Sequence, residues 1–343
     1  MNILENPWRG TGLPVDVLHG APAPSIDANA PRALLAKCPV AVATPLVRVD
    51  GFGAEVWVKD ERARMGLGSF KALGAAYVIA HAAVEMGADD LRTALAGRTY
   101  ITASAGNHGL SVAAGAAIFG ARAVIYLADT VPDSFAVRLK AKGAEVVRAG
   151  SDYQQSMDAA MHTAEQEGWT LLSDSSWPGY FDIPHRLMEG YLALAAEATD
   201  AMPGPPTHIM LQAGVGGLAG AAAAYFRKVW GDAPRIIVVE PDAAPALQAS
   251  IKAGHAVDTV GPVSNMGRLD CKAPSLIALH GLARDADAFA LISDAQAAAV
   301  LPQLAQQGLA STPSGAAGLA ALALMDLGPD ARVLCILSEE SDA

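Results

Sequence analysis

The chain is poor in cysteine and in basic residues, and each shortage excludes a class of protein. Its three cysteines, spread over 343 residues, have no CxxC spacing and offer no disulfide framework, which favours a reducing cytoplasm. Lys and Arg number 24 against 35 for Asp and Glu, so the formal charge of −11 argues against nucleic-acid and anionic-membrane partners. We assign no metal ligands.

Long hydrophobic runs and an export signal are also missing. The longest apolar stretch, residues 209–226, contains Gln212 and several glycines, and it is more typical of a strand, a loop and a buried helix than of a membrane span. The segment Met1–Pro7 lacks a basic region followed by an apolar one, so no export signal is expected there.

What the sequence does have is 52% hydrophobic residues in alternating strand-like and helix-like segments. This alternation, with continuous apolar strands, predicts an α/β fold of parallel sheets covered on both faces. The predicted strands lie at residues 56–59, 100–102, 123–127, 145–147, 170–172, 208–212, 235–240 and 332–337. The predicted helices lie at residues 70–85, 107–119, 134–142, 153–168, 184–199, 219–230, 294–307 and 314–327.

Lys71 is the strongest candidate for a catalytic residue. It lies in the run Gly68–Gly74, at the start of a predicted helix. A lysine in that place can reach into a cleft and form an imine with a carbonyl cofactor, and the nearby glycines let the backbone approach a ligand closely. The alternative is an ordinary solvated lysine in a first helical turn.

A second candidate segment, Ser104–Gly109, follows a predicted strand and opens a helix. Its backbone N–H groups form a nest that suits the carboxylate of an amino-acid substrate. Asn107 could instead be a helix N-cap, and His108 is interpreted as structural rather than as a base. The residues assigned to substrate binding are Ser104, Ala105, Gly106, Asn107 and His108.

A glycine-rich turn at Ala213–Leu218 also joins a predicted strand to a helix. Such a turn, taken alone, could indicate a dinucleotide site, with Glu240 as the acidic ribose ligand. As the third element after Lys71 and the Asn107 loop, it is interpreted as the cup for a cofactor phosphate. The residues assigned to that cup are Gly214, Val215, Gly216, Gly217 and Leu218.

With these segments together, the chain resembles the fold-type-II pyridoxal-phosphate enzymes, the threonine dehydratase and tryptophan synthase β-subunit group. The resemblance implies a tryptophan synthase β-like fold, two parallel-sheet domains with pyridoxal 5′-phosphate between them, and a homodimer. It implies that Asn107 touches the cofactor's 3-oxygen and that Ser338 hydrogen-bonds the pyridine nitrogen. A smaller domain, residues 76–187, would be inserted into a larger one made of residues 1–75 and 188–343.

Further segments resemble the diaminopropionate ammonia-lyases within that group. These are Asp174–Tyr180 with Ile183-Pro184, Leu211–Gly216 and Met266–Ser275. Two departures stand out. Ala105 occupies a position where those enzymes carry an acid, and Thr312 opens a Thr-Pro-Ser-Gly run where serine and threonine dehydratases often have Glu-Pro-Ser-Gly.

The resemblance implies an α,β-elimination in which Lys71 holds the cofactor and then takes the Cα proton. Asp174 is the candidate acid for the leaving group, and the released aminoacrylate hydrolyses to a keto acid and ammonia. The preferred substrate is L-2,3-diaminopropionate, giving pyruvate. The alternatives are a dehydratase of serine, threonine or 3-hydroxyaspartate, a β-replacement synthase, and a catalytically weak cofactor-binding protein.

Overall fold

The structure, a computed structural model, describes residues 1–341. In that part of the chain eleven strands form two sheets. The strands are β1 (Asn2–Glu5), β2 (Leu46–Val49), β3 (Glu55–Asp60), β4 (Thr99–Ala103), β5 (Arg122–Leu127), β6 (Glu145–Arg148), β7 (Thr170–Leu171), β8 (His208–Gln212), β9 (Arg235–Pro241), β10 (Ala288–Ile292) and β11 (Arg332–Leu337).

Helices separate most of the strands. The α-helices are α1 (Asn29–Leu35), α2 (Ala75–Glu85), α3 (Asn107–Ile118), α4 (Asp133–Ala141), α5 (Tyr153–Glu167), α6 (Asp182–Ala201), α7 (Gly217–Trp230), α8 (Ala246–Ala253), α9 (Leu276–Asp285), α10 (Asp294–Ala299), α11 (Leu301–Gln306) and α12 (Ala317–Leu322). Short 3₁₀ helices lie at Val15–Leu18, Arg64–Gly66, Phe70–Leu73 and Leu91–Thr93. None of the helices within residues 1–341 is both long and apolar enough to cross a membrane.

The larger sheet has seven strands in the order β1-β10-β9-β8-β11-β3-β2. Its five middle strands are parallel, which confirms the predicted α/β class. Both edge strands, which the sequence analysis did not predict, are antiparallel to their neighbours. For β2 the reason is the short connection, because residues 50–54 suffice for a hairpin and no crossover helix is present.

The smaller sheet has four strands, all parallel, in the order β6-β5-β4-β7. All of its strands lie between Thr99 and Leu171, whereas every strand of the larger sheet lies outside that range. The central strands β4 and β5 are almost fully buried, which explains their continuous apolar sequence.

Three neighbouring strands of the larger sheet bring the candidate residues to one edge. β11 pairs in parallel with β3 on one side and with β8 on the other. In parallel sheets the carboxyl ends of the strands share one edge, and ligands bind there. Lys71 follows β3, the Gly214–Leu218 turn follows β8, and Ser338 follows β11.

Three predicted helices are interrupted or shortened. The segment 70–85 divides at Gly74 into the 3₁₀ helix Phe70–Leu73 and α2. The segment 294–307 divides into α10 and α11 next to Pro302, whose missing N–H cannot continue the helix. The segment 314–327 is helical only over α12. The carbonyl of Gly315, just before it, already accepts hydrogen bonds from the Ser338 N–H and the Gln212 side chain, so it does not serve a helix.

A buried ionic network fixes the chain that leads to Lys71. Lys59 and Arg64 each place a nitrogen 2.6 Å from Glu197 Oε2, and Arg64 also lies 2.7 Å from Glu61 Oε1. Lys59, Glu61 and Arg64 are at most 1% exposed. Breaking such a pair leaves an uncompensated buried charge, so the network defines the path of this segment more than it adds stability.

Helix α6 packs directly on the 3₁₀ turn that carries Lys71. A Cβ on Gly190 would lie 2.0 Å from the Leu73 carbonyl oxygen, so only glycine allows this approach. The next residue of α6, Tyr191, packs against Phe70 of this turn, with ring centroids 4.9 Å apart. The turn is therefore held from the core side by α6.

Candidate active site

Lys71 lies in the 3₁₀ helix Phe70–Leu73, which is tied to the end of the last strand. The Phe70 N–H donates to the Ser338 carbonyl at 3.1 Å, and Ser69 forms an antiparallel bridge with Glu339. Gly68, just before, has φ +77°, a left-handed conformation that favours glycine. The lysine is thus carried on a short, fixed turn rather than on a mobile loop.

Asp174, which follows β7, is the partner of Lys71. Lys71 Nζ donates a hydrogen bond to Asp174 Oδ2, and their side chains are 22% and 20% exposed. Burial alone would lower the pKa of Lys71, but the Asp174 carboxylate raises it well above its ordinary value. Burial alone would raise the pKa of Asp174, but the Lys71 ammonium lowers it below its usual range. At neutral pH the Lys71 ammonium and the Asp174 carboxylate therefore form an ion pair.

Tyr191 lies beside this pair on the core side. Burial, followed by the Asp174 charge, raises the pKa of its hydroxyl to about 12 against the opposing effect of Lys71. It is 1% exposed. The phenol therefore stays neutral, and it closes the cleft beneath Lys71.

The loop after β4 runs from Ser104 to the first turn of α3. Ser104 Oγ accepts hydrogen bonds from the N–H groups of Gly106 at 3.3 Å and Gly109 at 3.1 Å. The N-cap residue is Gly106, so the alternative role of Asn107 as an N-cap is wrong. A Cβ on Gly109 would lie only 3.0 Å from the Ser104 carbonyl oxygen, which explains the glycine there.

Asn107, which follows a strand of the smaller sheet, instead donates a hydrogen bond to Glu339, which follows a strand of the larger sheet. The distance from Asn107 Nδ2 to Glu339 Oε2 is 2.6 Å. The same carboxylate accepts a hydrogen bond from Thr312 Oγ1, and Arg268 Nε lies 3.1 Å from it. Glu339 is 4% exposed, so this buried carboxylate joins the small-sheet loop to two loops of the larger sheet.

Sequence reasoning missed Glu339 and stopped at Ser338. The available signal was the pair of acidic residues Glu339 and Glu340 directly after a buried strand, at the edge where ligands bind. Ser338 is itself buried, and its N–H donates to the Gly315 carbonyl at 3.2 Å. Thr312, noted for replacing an acid, donates to the carboxylate that Glu339 supplies from another element.

His108 fits the structural interpretation. Its Nε2 lies 2.8 Å from the Leu172 carbonyl oxygen, which requires a proton on Nε2. Burial, followed by the Lys71 charge and opposed by Asp174, lowers its pKa below the ordinary value. The imidazole is therefore neutral at physiological pH, and it joins α3 to the segment that leads to Asp174.

The Gly214–Leu218 turn has the backbone geometry of an anion cradle. Gly216 has φ +100°, and a Cβ there would lie 3.0 Å from Ala278 Cβ and 3.1 Å from Leu247 Cδ1. A Cβ on Gly214 would lie 2.9 Å from Cys271 Sγ. With side chains excluded at both glycines, the turn presents backbone N–H groups at the start of the 14-residue helix α7, which favours a bound anion.

These residues fit pyridoxal phosphate. A half-buried lysine and a side-chain-free cradle at a helix N-terminus lie after β3 and β8, on either side of β11, which matches a cofactor with an aldehyde and a phosphate. Burial, aided by Asp174, raises the pKa of the Cys271 thiol beside the cradle to about 12, so the sulfur stays neutral near a phosphate. Within residues 1–341, no cluster of three or more potential metal ligands occurs.

Residues 39–339 match the model of a family described as pyridoxal-phosphate dependent enzyme. The chain belongs to this family. Its cofactor is pyridoxal phosphate, and the cradle, Lys71 and Ser338 all fall within the matched residues.

Among relatives of this pyridoxal-phosphate dependent enzyme are the diaminopropionate ammonia-lyases of two enteric bacteria. The protein of Escherichia coli K12 is 34% identical over 315 residues, covering 85% of this chain and 79% of the relative. The protein of Salmonella typhimurium LT2 is 32% identical, with 78% and 72% covered.

Solved structures agree with this placement. The Escherichia coli diaminopropionate ammonia-lyase in complex with an aminoacrylate-PLP azomethine reaction intermediate is 32% identical, with TM-score 0.87 over 99% of this chain and 93% of that one. The same enzyme with D-serine gives TM-score 0.88 over the same shares, at 32% identity. Tomato threonine deaminase isoform 2, at 20% identity and TM-score 0.81 over 99% of this chain and 94% of that one, shares the fold. The tryptophan synthase β-like architecture expected from the sequence is confirmed.

Proposed function

We propose that this enzyme catalyses α,β-elimination of L-2,3-diaminopropionate, giving pyruvate and ammonia. The observation that carries the proposal is the ion pair of Lys71 and Asp174 beside the cradle, where a Cβ on Gly217 would lie 3.9 Å from the Asp174 carbonyl oxygen. Bound pyridoxal phosphate supplies an electron-withdrawing ring that acidifies the Cα–H of an attached amino acid. The similarity to two diaminopropionate ammonia-lyases supports the substrate.

In this proposal the backbone N–H groups of the cradle would hold the cofactor phosphate, and the Lys71 amine would hold its carbonyl group. Asn107, which follows a strand of the smaller sheet, and Ser338, which follows a strand of the larger sheet, would contact its ring. The N–H groups of the Ser104–His108 loop hold the substrate carboxylate at the start of α3. Lys71, the cradle and Ser338 follow strands of the larger sheet, and the Ser104–His108 loop follows β4 of the smaller sheet.

The ion pair supplies the proton movements. Lys71 must lose its proton to solvent before it can act as a nucleophile or a base, because the ion pair lowers the pKa of Asp174 and makes that carboxylate a poor proton acceptor. Neutral Lys71 then removes the Cα proton, and this proton passes through the Lys71–Asp174 hydrogen bond to the departing β-amine. Water hydrolyses the released enamine, so each substrate yields one pyruvate and two ammonia.

The preference for an L-substrate follows from the side on which Lys71 lies. Lys71 serves one face of the substrate, and Ala105, exposed in the opposite loop, has no titratable group. Glu339 is the nearby carboxylate on that loop's side, but it is engaged by Asn107, Thr312 and Arg268. A carboxylate with three donors is a weak base, which supports the same preference.

We also propose the domain arrangement, assembly and location that the sequence suggested. A smaller domain of residues 76–187 within a larger one is supported by the separation of the two sheets, although α6 continues through the 187/188 boundary. A homodimer rests on the family resemblance alone. A cytoplasmic location is supported by the unpaired state of Cys38, Cys271 and Cys335.

The deciding experiment is a product assay on enzyme loaded with pyridoxal phosphate. L-2,3-diaminopropionate, serine, threonine and 3-hydroxyaspartate are each supplied, and keto acid and ammonia are quantified separately. The proposal expects the highest kcat/KM with 2,3-diaminopropionate and a two-to-one ratio of ammonia to pyruvate. A higher kcat/KM with a β-hydroxy amino acid would identify a dehydratase instead, and absence of keto acid would reject elimination.

A further inference from the structure

A cavity of about 170 Å³ adjoins the Ser104–His108 loop on the side away from Asp174. The order β6-β5-β4-β7 explains its place, because Asp174 follows β7 on one side of β4 while β5 and β6 lie on the other. The cavity opens between three segments that follow β4, β5 and β6. Ser104 and Ala105 form one wall, Ala128 and Thr130 the second, and Tyr153 the third.

The lining of this cavity carries no charged side chain. Its base is apolar at Leu127 and Ala128, which are 1% and 5% exposed. The hydroxyl of Ser156 is already committed to the carbonyls of Ala149 and Asp152, at 2.6 and 3.0 Å. A charged group would lose its hydration here without gaining a partner, whereas a small uncharged group would bury apolar surface.

Tyr153 lies at the rim of the cavity. It is the first residue of α5, and 55% of its surface is exposed, so the ring forms part of the rim. Ser104 and Ala105 line the cavity and also belong to the Ser104–His108 loop, so the cavity and the cleft share this loop as a wall.

From this juxtaposition we propose that the cavity between Ser104–Ala105, Ala128–Thr130 and Tyr153 is a subsite for an uncharged substituent on the substrate's Cβ. The inference rests on the proposed function, because it takes the Ser104–His108 loop as the carboxylate site. A carboxylate held by that loop leaves the Cβ one bond beyond Cα, beside the rim. The volume is several times the roughly 30 Å³ share of a water molecule, enough for a short alkyl group.

The subsite predicts substrates that carry a methyl or ethyl group on Cβ as well as unbranched ones. Such a group would place its carbons against the apolar base of the cavity. Each buried CH₂ is worth about fourfold in affinity at the usual transfer free energy. The enzyme's selectivity would therefore depend on the length of an uncharged side chain.

A binding series without a leaving group tests this directly. Alanine, 2-aminobutyrate and norvaline differ by one CH₂ each and cannot undergo β-elimination of an amine or hydroxyl. Their dissociation constants for the cofactor-loaded enzyme are measured by calorimetry. We expect affinity to rise about fourfold per CH₂ in the wild-type protein.

Two variants fill the cavity, and one is a matched control. Thr130→Leu fills it from the exposed rim and Ala128→Leu from the buried base, so the first remains informative if the second folds poorly. Thr93→Leu makes the rim substitution at another exposed threonine. Each threonine hydroxyl contacts a single carbonyl, at 3.4 Å for Thr130 and 3.3 Å for Thr93.

The expected result is that the gain from alanine to norvaline disappears in both filling variants and persists in Thr93→Leu. Equal affinity for the three amino acids in the wild type would overturn the subsite, as would a gain that survives both filling variants. A failure of the proposed function would be distinguishable from a failure of the subsite. Absence of pyruvate from 2,3-diaminopropionate, with the chain-length pattern intact, would reject the elimination but keep the subsite.

Discussion

Replacing Asp174 with Asn tests the central ion pair. The substitution keeps the size of the side chain and removes the charge that holds Lys71 protonated. An ammonium and a carboxylate about 4 Å apart at an effective dielectric constant of 20 attract each other by about 4 kcal/mol. Because burial alone would lower the pKa of Lys71, loss of the partner should return that pKa to or below its ordinary value.

The pH dependence has a defined sign. The pKa of Lys71 is raised in the folded protein, so its contribution to stability is complete below the unfolded value of about 10.4 and is lost as pH rises through the folded value. The pKa of Asp174 is lowered, so its contribution is complete above about 3.9 and is lost as pH falls through the folded value. Between these limits the stability that the wild-type ion pair contributes does not change with pH. In Asp174→Asn, Lys71 should lose its proton at a pH about three units lower than in the wild type.

Two assays follow the change. Formation of the visible band after addition of pyridoxal phosphate to apoenzyme, measured against pH, reports neutral Lys71 and should shift to lower pH in the variant. Turnover of L-2,3-diaminopropionate should fall about 10²–10⁴-fold, the usual contribution of a general acid, while cofactor loading at neutral pH changes little.

The control is Asp133→Asn, which removes an exposed partner of Arg148. It should leave both the pH profile and the turnover unchanged, since its side chain is 97% exposed and exposed pairs contribute little. A wild-type pH profile together with near-normal turnover in Asp174→Asn would refute the assignment of Asp174 as both partner and acid.

Three further substitutions test the remaining parts of the site. Lys71→Ala should abolish the visible band and turnover, because the same amine is both the cofactor anchor and the base, while phosphate binding to the cradle persists. A variant that retains the band and full turnover would reject the site. Gly216→Asp should weaken cofactor affinity about a thousandfold, because a like charge near the phosphate costs about 4 kcal/mol and the new Cβ would crowd Leu247 at 3.1 Å. Fluorescence titration measures the affinity, and Gly231→Asp, where a Cβ meets nothing within 4 Å, is the control. Wild-type enzyme should turn over L-2,3-diaminopropionate faster than the D-enantiomer, and Ala105→Asp should add D-activity; comparable initial rates on enantiomerically pure substrates in the wild type would contradict the one-sided base.

Local sequence was sufficient for the parts of the site that a short segment builds by itself. The Gly214–Leu218 turn, the Ser104–His108 loop and the lysine turn each combine a strand end, glycines and a helix start within a few residues. Backbone geometry of this kind depends on neighbours in the sequence, because glycine conformation and helix N-termini are local properties. The same holds for the alternation that predicted parallel α/β sheets.

Sequence was less informative where a helix competes with distant partners. The predicted helix at 314–327 had favourable composition, yet the carbonyl of Gly315 is used by Ser338 and Gln212 from two other strands. The edge strands β1 and β2 were missed since each has only four residues, and β1 also gains its hydrogen bonds from β10, far along the chain.

The tertiary structure alone decided which charged groups meet. Asp174 lies 103 positions after Lys71, and Glu339 lies 232 positions after Asn107, so no local pattern could pair them. The order of the strands brings their carboxyl ends together and determines that Lys71 is an ion-paired ammonium and Asn107 a donor to a carboxylate. The sequence by itself determined the chemical groups and their local presentation, whereas protonation and partnership arise from long-range packing, because electrostatic interactions depend on distance in space and on burial.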